Sequence, residues 1–170
     1  MANANIPKNS QLLMQKMVDG ATVVNIYKQW NIVATKIPVP EIEAKDLPVH
    51  DFSGENGEDA YIPSYIPVKP YDIEIKFAYM GDLSQCYNNI YKGFLAYLQG
   101  TAPANEDYDS ITEGGFKIYD QHNLIGRQKV YLKKFNGEGE LVQDNEGEHL
   151  QFKMTFRVCD PVTDITLAEA

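Results

Sequence analysis

From Tyr71 to Tyr79 the chain alternates: Tyr71, Ile73, Ile75, Phe77 and Tyr79 are apolar, with Asp72, Glu74, Lys76 and Ala78 between them. The same pattern returns near the C-terminus, where Leu150, Phe152, Met154, Phe156 and Val158 alternate with Gln151, Lys153, Thr155 and Arg157. A period of two sends successive side chains to opposite faces, so each segment is read as a strand with one buried face. Tyr and Phe, 11 and 7 of the 170 residues, suit that half-buried pleated surface. Further strands are expected at Thr22–Tyr27, at Trp30–Ile37 with Trp30, Ile32, Ala34 and Lys36 on one face, at Gly115–Tyr119 and at Arg127–Phe135. In Arg127–Phe135, Val130 and Leu132 face one way and Lys129, Tyr131 and Lys133 the other. Asn136–Gly139 and Asn145–Gly147 read as turns, as does Asp120–Asn123.

Between Gly81 and Gly100 the period changes. Leu83, Tyr87, Ile90, Phe94 and Tyr97 recur at helical spacing, with Tyr91 and Leu98 widening the stripe. One amphipathic helix is predicted over about 83–98, capped by Asp82 and stopped by Gly100. Gly93 inside it costs about 1 kcal/mol relative to Ala, which a close packing contact would explain. Residues 1–20 read as an N-terminal arm or a first short strand, 21–165 as a single β-barrel domain and 166–170 as a polar tail.

Prolines punctuate the middle of the chain. Pro38 and Pro40 end a strand because they cannot donate to a ladder. Pro48, Pro63, Pro67 and Pro70 flank an extended hairpin over about 45–68, with arms Lys45–Phe52 and Ala60–Val68 and a polar tip at Ser53–Asp59. The expected fold class is therefore mainly β (α+β). It is a split antiparallel β-barrel or sandwich, with one face under the flanking helix and the other inside the barrel.

The residues point to no catalytic or cofactor constellation. His50, His122 and His149 have no metal-ligand spacing, and the acidic clusters at Gly54–Asp59, Glu106–Asp109 and Gly137–Glu148 lack the calcium-loop pattern. Ser84 and Ser110 have no base paired by motif, and no glycine-rich phosphate loop occurs. Cys86 and Cys159 read as two reduced, buried thiols, with a disulfide between them as the alternative. The expectation is a non-enzyme without metal or cofactor. A net charge of −9 argues against tight phosphate binding, and Lys129, Lys133 and Lys134 beside Tyr131 read as an exposed sheet face. No signal peptide or membrane span is expected.

The order of segments resembles the N-terminal domain of bacteriophage distal tail proteins. WNIVATKIP (30–38), KDLPV (45–49), GEDAYIP (57–63), YDIEIKF (71–77), IGRQKVYL (125–132) and FKMTFRVCDP (152–161) carry the resemblance, which covers most of residues 22–165. It implies the split barrel with one helix shared by tail tube proteins, and self-association, typically into a hexameric ring around a DNA conduit. It also implies other tail proteins as partners and a place in the virion tail, assembled in the bacterial host cytoplasm. Distal tail protein, tube subunit and another tail component all remain open. The hairpin, through Lys45, Phe52, Gly57, Asp59, Tyr61, Ile62 and Tyr65, is the element expected to reach a neighbouring subunit. The rival reading is a non-catalytic ligand-binding β-barrel, for instance for carbohydrate, with Tyr61, Tyr65 and Tyr108 as stacking platforms. A small hydrolase using loop carboxylates ranks below both.

Overall fold

A computed structural model describes residues 12–18, 20–100, 114–144 and 147–168. Its frame is an antiparallel sheet of seven strands that curls into a half-barrel. The strands are β1 (Leu12–Lys16), β2 (Val24–Asn25), β3 (Ile32–Lys36), β6 (Tyr71–Tyr79), β7 (Phe116–Asp120), β8 (Ile125–Asp144) and β9 (Gly147–Val158), in the spatial order β2-β1-β7-β8-β9-β6-β3. A separate pair, β4 (Val49–His50) and β5 (Asp59–Ala60), lies in the proline-flanked hairpin. The mainly-β fold with one long helix agrees with the sequence reading.

The curl has a local cause. Along β8 the register slips three times: between Arg127 and Val130 against β7, then between Leu132 and Lys134 and between Asn136 and Glu140 against β9. Each extra residue is a bulge that bends the strand and increases its twist. At the first, Lys129 adopts φ 54° and its carbonyl accepts from the Cys159 N–H at 3.0 Å. The second shifts the inward set by one, so Val130 and Leu132 are followed into the core by Phe135. The turn expected at Asn136–Gly139 is instead the third bulge within a continuous strand. Asp144 pairs with Gly147, so the chain reverses there; Asn145 and Glu146, part of the second expected turn, lie outside the described residues.

Two sequence expectations about helices change. Asn25 accepts from the N–H groups of Tyr27 and Lys28 through its side chain, and Asn31 closes the segment in a left-handed conformation at φ 56°. These caps turn Ile26–Trp30 into a short helix, α1, where a strand was expected. Ile26 and Trp30, four apart, bury on one side. The long helix, α2, starts as a 3₁₀ turn at Leu83–Gln85, winds with π-type bonding over Tyr87–Leu95 and tightens over Ala96–Gln99. Asp82 caps it and Gly100 ends it at φ 80°. The wider winding rotates the stripe, so Ile90, Phe94, Tyr97 and Leu98 bury while Tyr87 and Tyr91 stay on the surface.

One concave face holds the core. Leu12 and Met14 (β1), Phe116 (β7), Val130 (β8), Phe152, Met154 and Phe156 (β9), Ile75 and Phe77 (β6) and Ile32 (β3) meet α1 and α2 there. Trp30 sits 5.3 Å from Phe94 and 5.4 Å from Tyr97, ring to ring, and Phe77 sits 5.4 Å from both Phe94 and Phe152. Gly93 carries the close contact expected of it: a Cβ there would lie 2.5 Å from the Trp30 indole nitrogen. Helix and barrel interior therefore share one sheet face, where opposite faces were expected. Part of the other face, at β1 and β7, is covered by the C-terminal segment, with Leu167 packed on Leu13 and Tyr119 beside Ile165 and Val23. That segment was expected to run out polar.

The opening of the chain contributes more than its composition suggests. β1 pairs with β2 on one side and β7 on the other. Lys16 is buried, donates to the Tyr97 carbonyl at the C-terminal end of α2, and lies 4.3 Å from the Tyr97 ring centre. The thiols correct the expectation of two buried cysteines. Both are free, Cys159 is exposed, and Cys86 is half-buried at the start of α2, where burial pushes its pKa up.

Candidate functional site

The hairpin between β3 and β6 is built from its prolines outward. A proline offers a carbonyl but no N–H, so it supports pairing from one side only. Two prolines do this: Lys45 N–H donates to the Pro67 carbonyl at 2.8 Å, and Tyr61 N–H to the Pro48 carbonyl at 3.0 Å. At the base, Ala44 pairs with Val68 and Lys69 N–H donates to the Glu43 carbonyl at 2.8 Å. The Lys69 ammonium clamps the same place, 2.9 Å from Glu43 and 3.8 Å from Asp46. Its hydrogen bond to Glu43, with the charge of Asp46, raises its pKa. Further out Val49 pairs with Ala60 and His50 with Asp59, and the chain reverses over Gly54 and Gly57, both at positive φ.

This arm has little to rest on. From Glu41 to Ile62 every residue is exposed except Leu47, which is half-buried. Tyr61 and Ile62 are each 70% exposed, Tyr65 61% and Phe52 54%. More than half of the large apolar side chains exposed among the described residues fall between Val39 and Ile66. An isolated two-stranded ribbon is marginal in water, and an exposed apolar ribbon is typical of a surface awaiting a partner.

The residues singled out from sequence spread along this arm. Lys45 is at the base, Phe52, Gly57 and Asp59 at or beside the tip, and Tyr61, Ile62 and Tyr65 follow on the returning arm. His50 stacks on Phe52 with ring centres 6.0 Å apart. Sequence reasoning left out Val39, Ile42, Val49 and Ile66, exposed like the others. Their apolar character inside a proline-flanked, otherwise polar segment is the signal that would have found them.

The remaining candidates do not converge. Among the described residues no group of three or more His, Cys, Asp or Glu side chains is placed to hold a metal ion. Also among the described residues, no helix is long and apolar enough to cross a membrane. Tyr108, Ser110 and the acidic loop Thr101–Asp109 lie outside the described residues, as do the side chains of 137–149. An apolar cleft opens at one end of the half-barrel between Ile37, Pro38 and Pro40 and the strand ends at Leu12, Tyr71, Asp120 and Val158. Tyr71 lines it, and burial raises its pKa against the opposing effect of Arg127 beside it.

No protein-family model and no curated protein matches the chain. Among solved structures it is similar to the Dit protein of phage SPP1, described as a paradigm of the hub adsorption apparatus in phages infecting Gram-positive bacteria. The TM-score is 0.44 and the identity 12%, over 88% of this chain and 50% of that one. This chain thus spans half the length of that protein, and a likeness this low does not extend to function.

Proposed function

We propose that this chain is a non-enzymatic structural subunit of a phage or prophage tail, a distal tail or tube-like component that self-associates into a ring, most simply a hexamer, around a DNA conduit. The observation that carries the reading is the hairpin: two-stranded, proline-flanked, standing off the half-barrel and lined with exposed Phe52, Tyr61, Ile62 and Tyr65. The order of sequence segments from Trp30 to Pro161 supports it. The net charge of −9 suits a channel wall that must let DNA pass without holding it. In this reading the hairpin reaches a neighbouring subunit, other tail proteins stack on the ring, and assembly takes place in the bacterial cytoplasm.

The test is solution mass by light scattering across a concentration range, with electron microscopy of large species, on the native chain and on a variant lacking Ser53–Asp59. Open-centred rings in the native protein are expected. The deletion variant should keep its thermal transition and lose the rings. A native protein that stays monomeric and binds glycans through Tyr61 and Tyr65 would replace this reading with that of a ligand-binding β-barrel.

A further inference from the structure

Among the described side chains, the outer face of the sheet carries more positive charge than its own carboxylates balance. Lys36 on β3 lies directly opposite Lys76 on β6, and Lys76 directly opposite Lys153 on β9. Directly opposed residues share a sheet face with Cβ atoms roughly 5 Å apart, and like charges so placed repel. Lys134 on β8 is in the next row, opposite Thr155. The nearby carboxylates whose side chains are described are engaged elsewhere: Asp72 holds Lys133 at 2.6 Å and Arg157 at 3.0 Å, and Glu74 accepts from Asn136 at 3.3 Å. Among the described residues, none of Lys36, Lys76, Lys134 and Lys153 has an ion-pair partner. In a chain of net charge −9 this is a local inversion of sign.

The complement is on the hairpin. Between Asp46 and Val68 the chain has five carboxylates, Asp46, Asp51, Glu55, Glu58 and Asp59, and no Lys or Arg. Asp46 is tied to Lys69 at the base, and the other four stand exposed at or beside the tip, without an ion pair among the described residues. About ten residues of ribbon separate the Ala44–Val68 pair from the tip, a reach of up to roughly 30 Å at strand rise. The lysine row spans two strand spacings, about 10 Å. The ribbon is long enough to cross it.

We propose that the Lys36–Lys76–Lys153 row, with Lys134 beside it, is the receptor face for the acidic hairpin tip of a second copy of this chain. The inference rests on the reading of the hairpin as an assembly arm and names the surface it meets. Because tip and row are different patches, the contact is head-to-tail, the kind that closes into rings when the rotation allows. Salt weakens it, because both partners are exposed charges.

The test is sedimentation velocity on four proteins: native, K36E/K76E/K153E, E55K/E58K/D59K, and all six changes combined. Three opposed glutamates repel one another as three lysines do, while K76E adds a like charge beside Glu74, so folding is checked by the thermal transition and K76Q/K153Q serves as a milder second variant. Each reversed lysine is expected to weaken association roughly tenfold, since an attraction becomes a repulsion. The combined variant is expected to associate again. Zero-length carbodiimide crosslinking of mixed ¹⁴N and ¹⁵N protein should join a receptor lysine of one copy to Glu55, Glu58 or Asp59 of another. Association that survives lysine reversal but is lost on deleting Ser53–Asp59 would overturn this receptor face and leave the assembly arm intact. A deletion without effect, or a native chain monomeric at every concentration, would remove both. Binding of a labelled DNA duplex, abolished by lysine reversal with self-association unchanged, would reassign the row to a polyanion.

Discussion

Replacing Gly126 with Ala should loosen the C-terminal segment from the sheet. Gly126 pairs with Tyr119, and its N–H donates to the Asp164 carboxylate at 3.1 Å. A Cβ there would clash with the Ile165 carbonyl oxygen and lie 2.7 Å from its carbon and 2.8 Å from Ile165 Cγ1. The obstacle is mainly backbone, so a side-chain rotation does not clear it. The glycine is not at positive φ, so the new residue is unstrained in itself and the cost falls on the segment it displaces. Moving that segment exposes Leu167, now 8% exposed, at about 1.5–3 kcal/mol. It also breaks the Asp164 contacts to Gly126 and Arg127, at about 1 kcal/mol. Reduced freedom of the unfolded chain returns about 0.5 kcal/mol. The expected loss is about 3 kcal/mol, or roughly 6–12 °C in melting temperature for a chain of this size. Calorimetry measures it, and limited proteolysis should cut the variant after Pro161 first. Leu167→Ala removes the same docking, so the double variant should lose clearly less than the sum of the two. A Gly126→Ala protein that melts like the native one, or effects that add in full, would refute the steric argument.

Gly93→Ala sets a helix-propensity gain of about 1 kcal/mol against overpacking of about 1–3 kcal/mol on an indole wedged between Phe94 and Tyr97. A net loss of about 1 kcal/mol is expected, with a shift in Trp30 emission; stabilisation with unchanged emission would show that the indole yields freely. The Asp160 carboxyl is held far below the usual carboxylate range, first by the Gln128 amide and then by the Thr163 and Val162 N–H groups. A depressed folded pKa means that its contribution is present above the unfolded value of about 3.9 and is lost as pH falls below it. Asp160→Asn should therefore flatten the decline in melting temperature below about pH 4 and lower stability at neutral pH; an unchanged acid limb would count against the Asp160 hydrogen bonds.

What local chemistry governs was legible along the chain. The alternation at Tyr71–Tyr79 and Leu150–Val158, the helical stripe ended by Gly100 and the proline-flanked hairpin each depend on a few neighbouring residues, and each formed where its pattern lies. Glycine at position 93 announced a close approach without naming Trp30 as the group approached. α1 was missed although Asn25 and Asn31 are cap residues, because the β-branched run before them outweighed a helix of five residues.

Tertiary structure alone decided what depends on register and on distant partners. The bulges of β8 are set by its pairing first with β7 and then with β9, and they turn a flat pattern of strands into a half-barrel and bring Phe135 into the core. Ile165 and Leu167 look like stray apolar residues in a polar tail until Leu13 and Tyr119 present a surface for them. Lys76 and Lys153 are ordinary outward positions, but Lys36 was expected on the face of Ile32 and Ala34; the register shift between Ala34 and Lys36 sets it opposite Lys76, and cross-strand pairing then places the three charges side by side. Periodicity is a property of consecutive residues, whereas adjacency across a sheet is a property of the whole fold, so the elements could be read from the chain and the surfaces they jointly make could not.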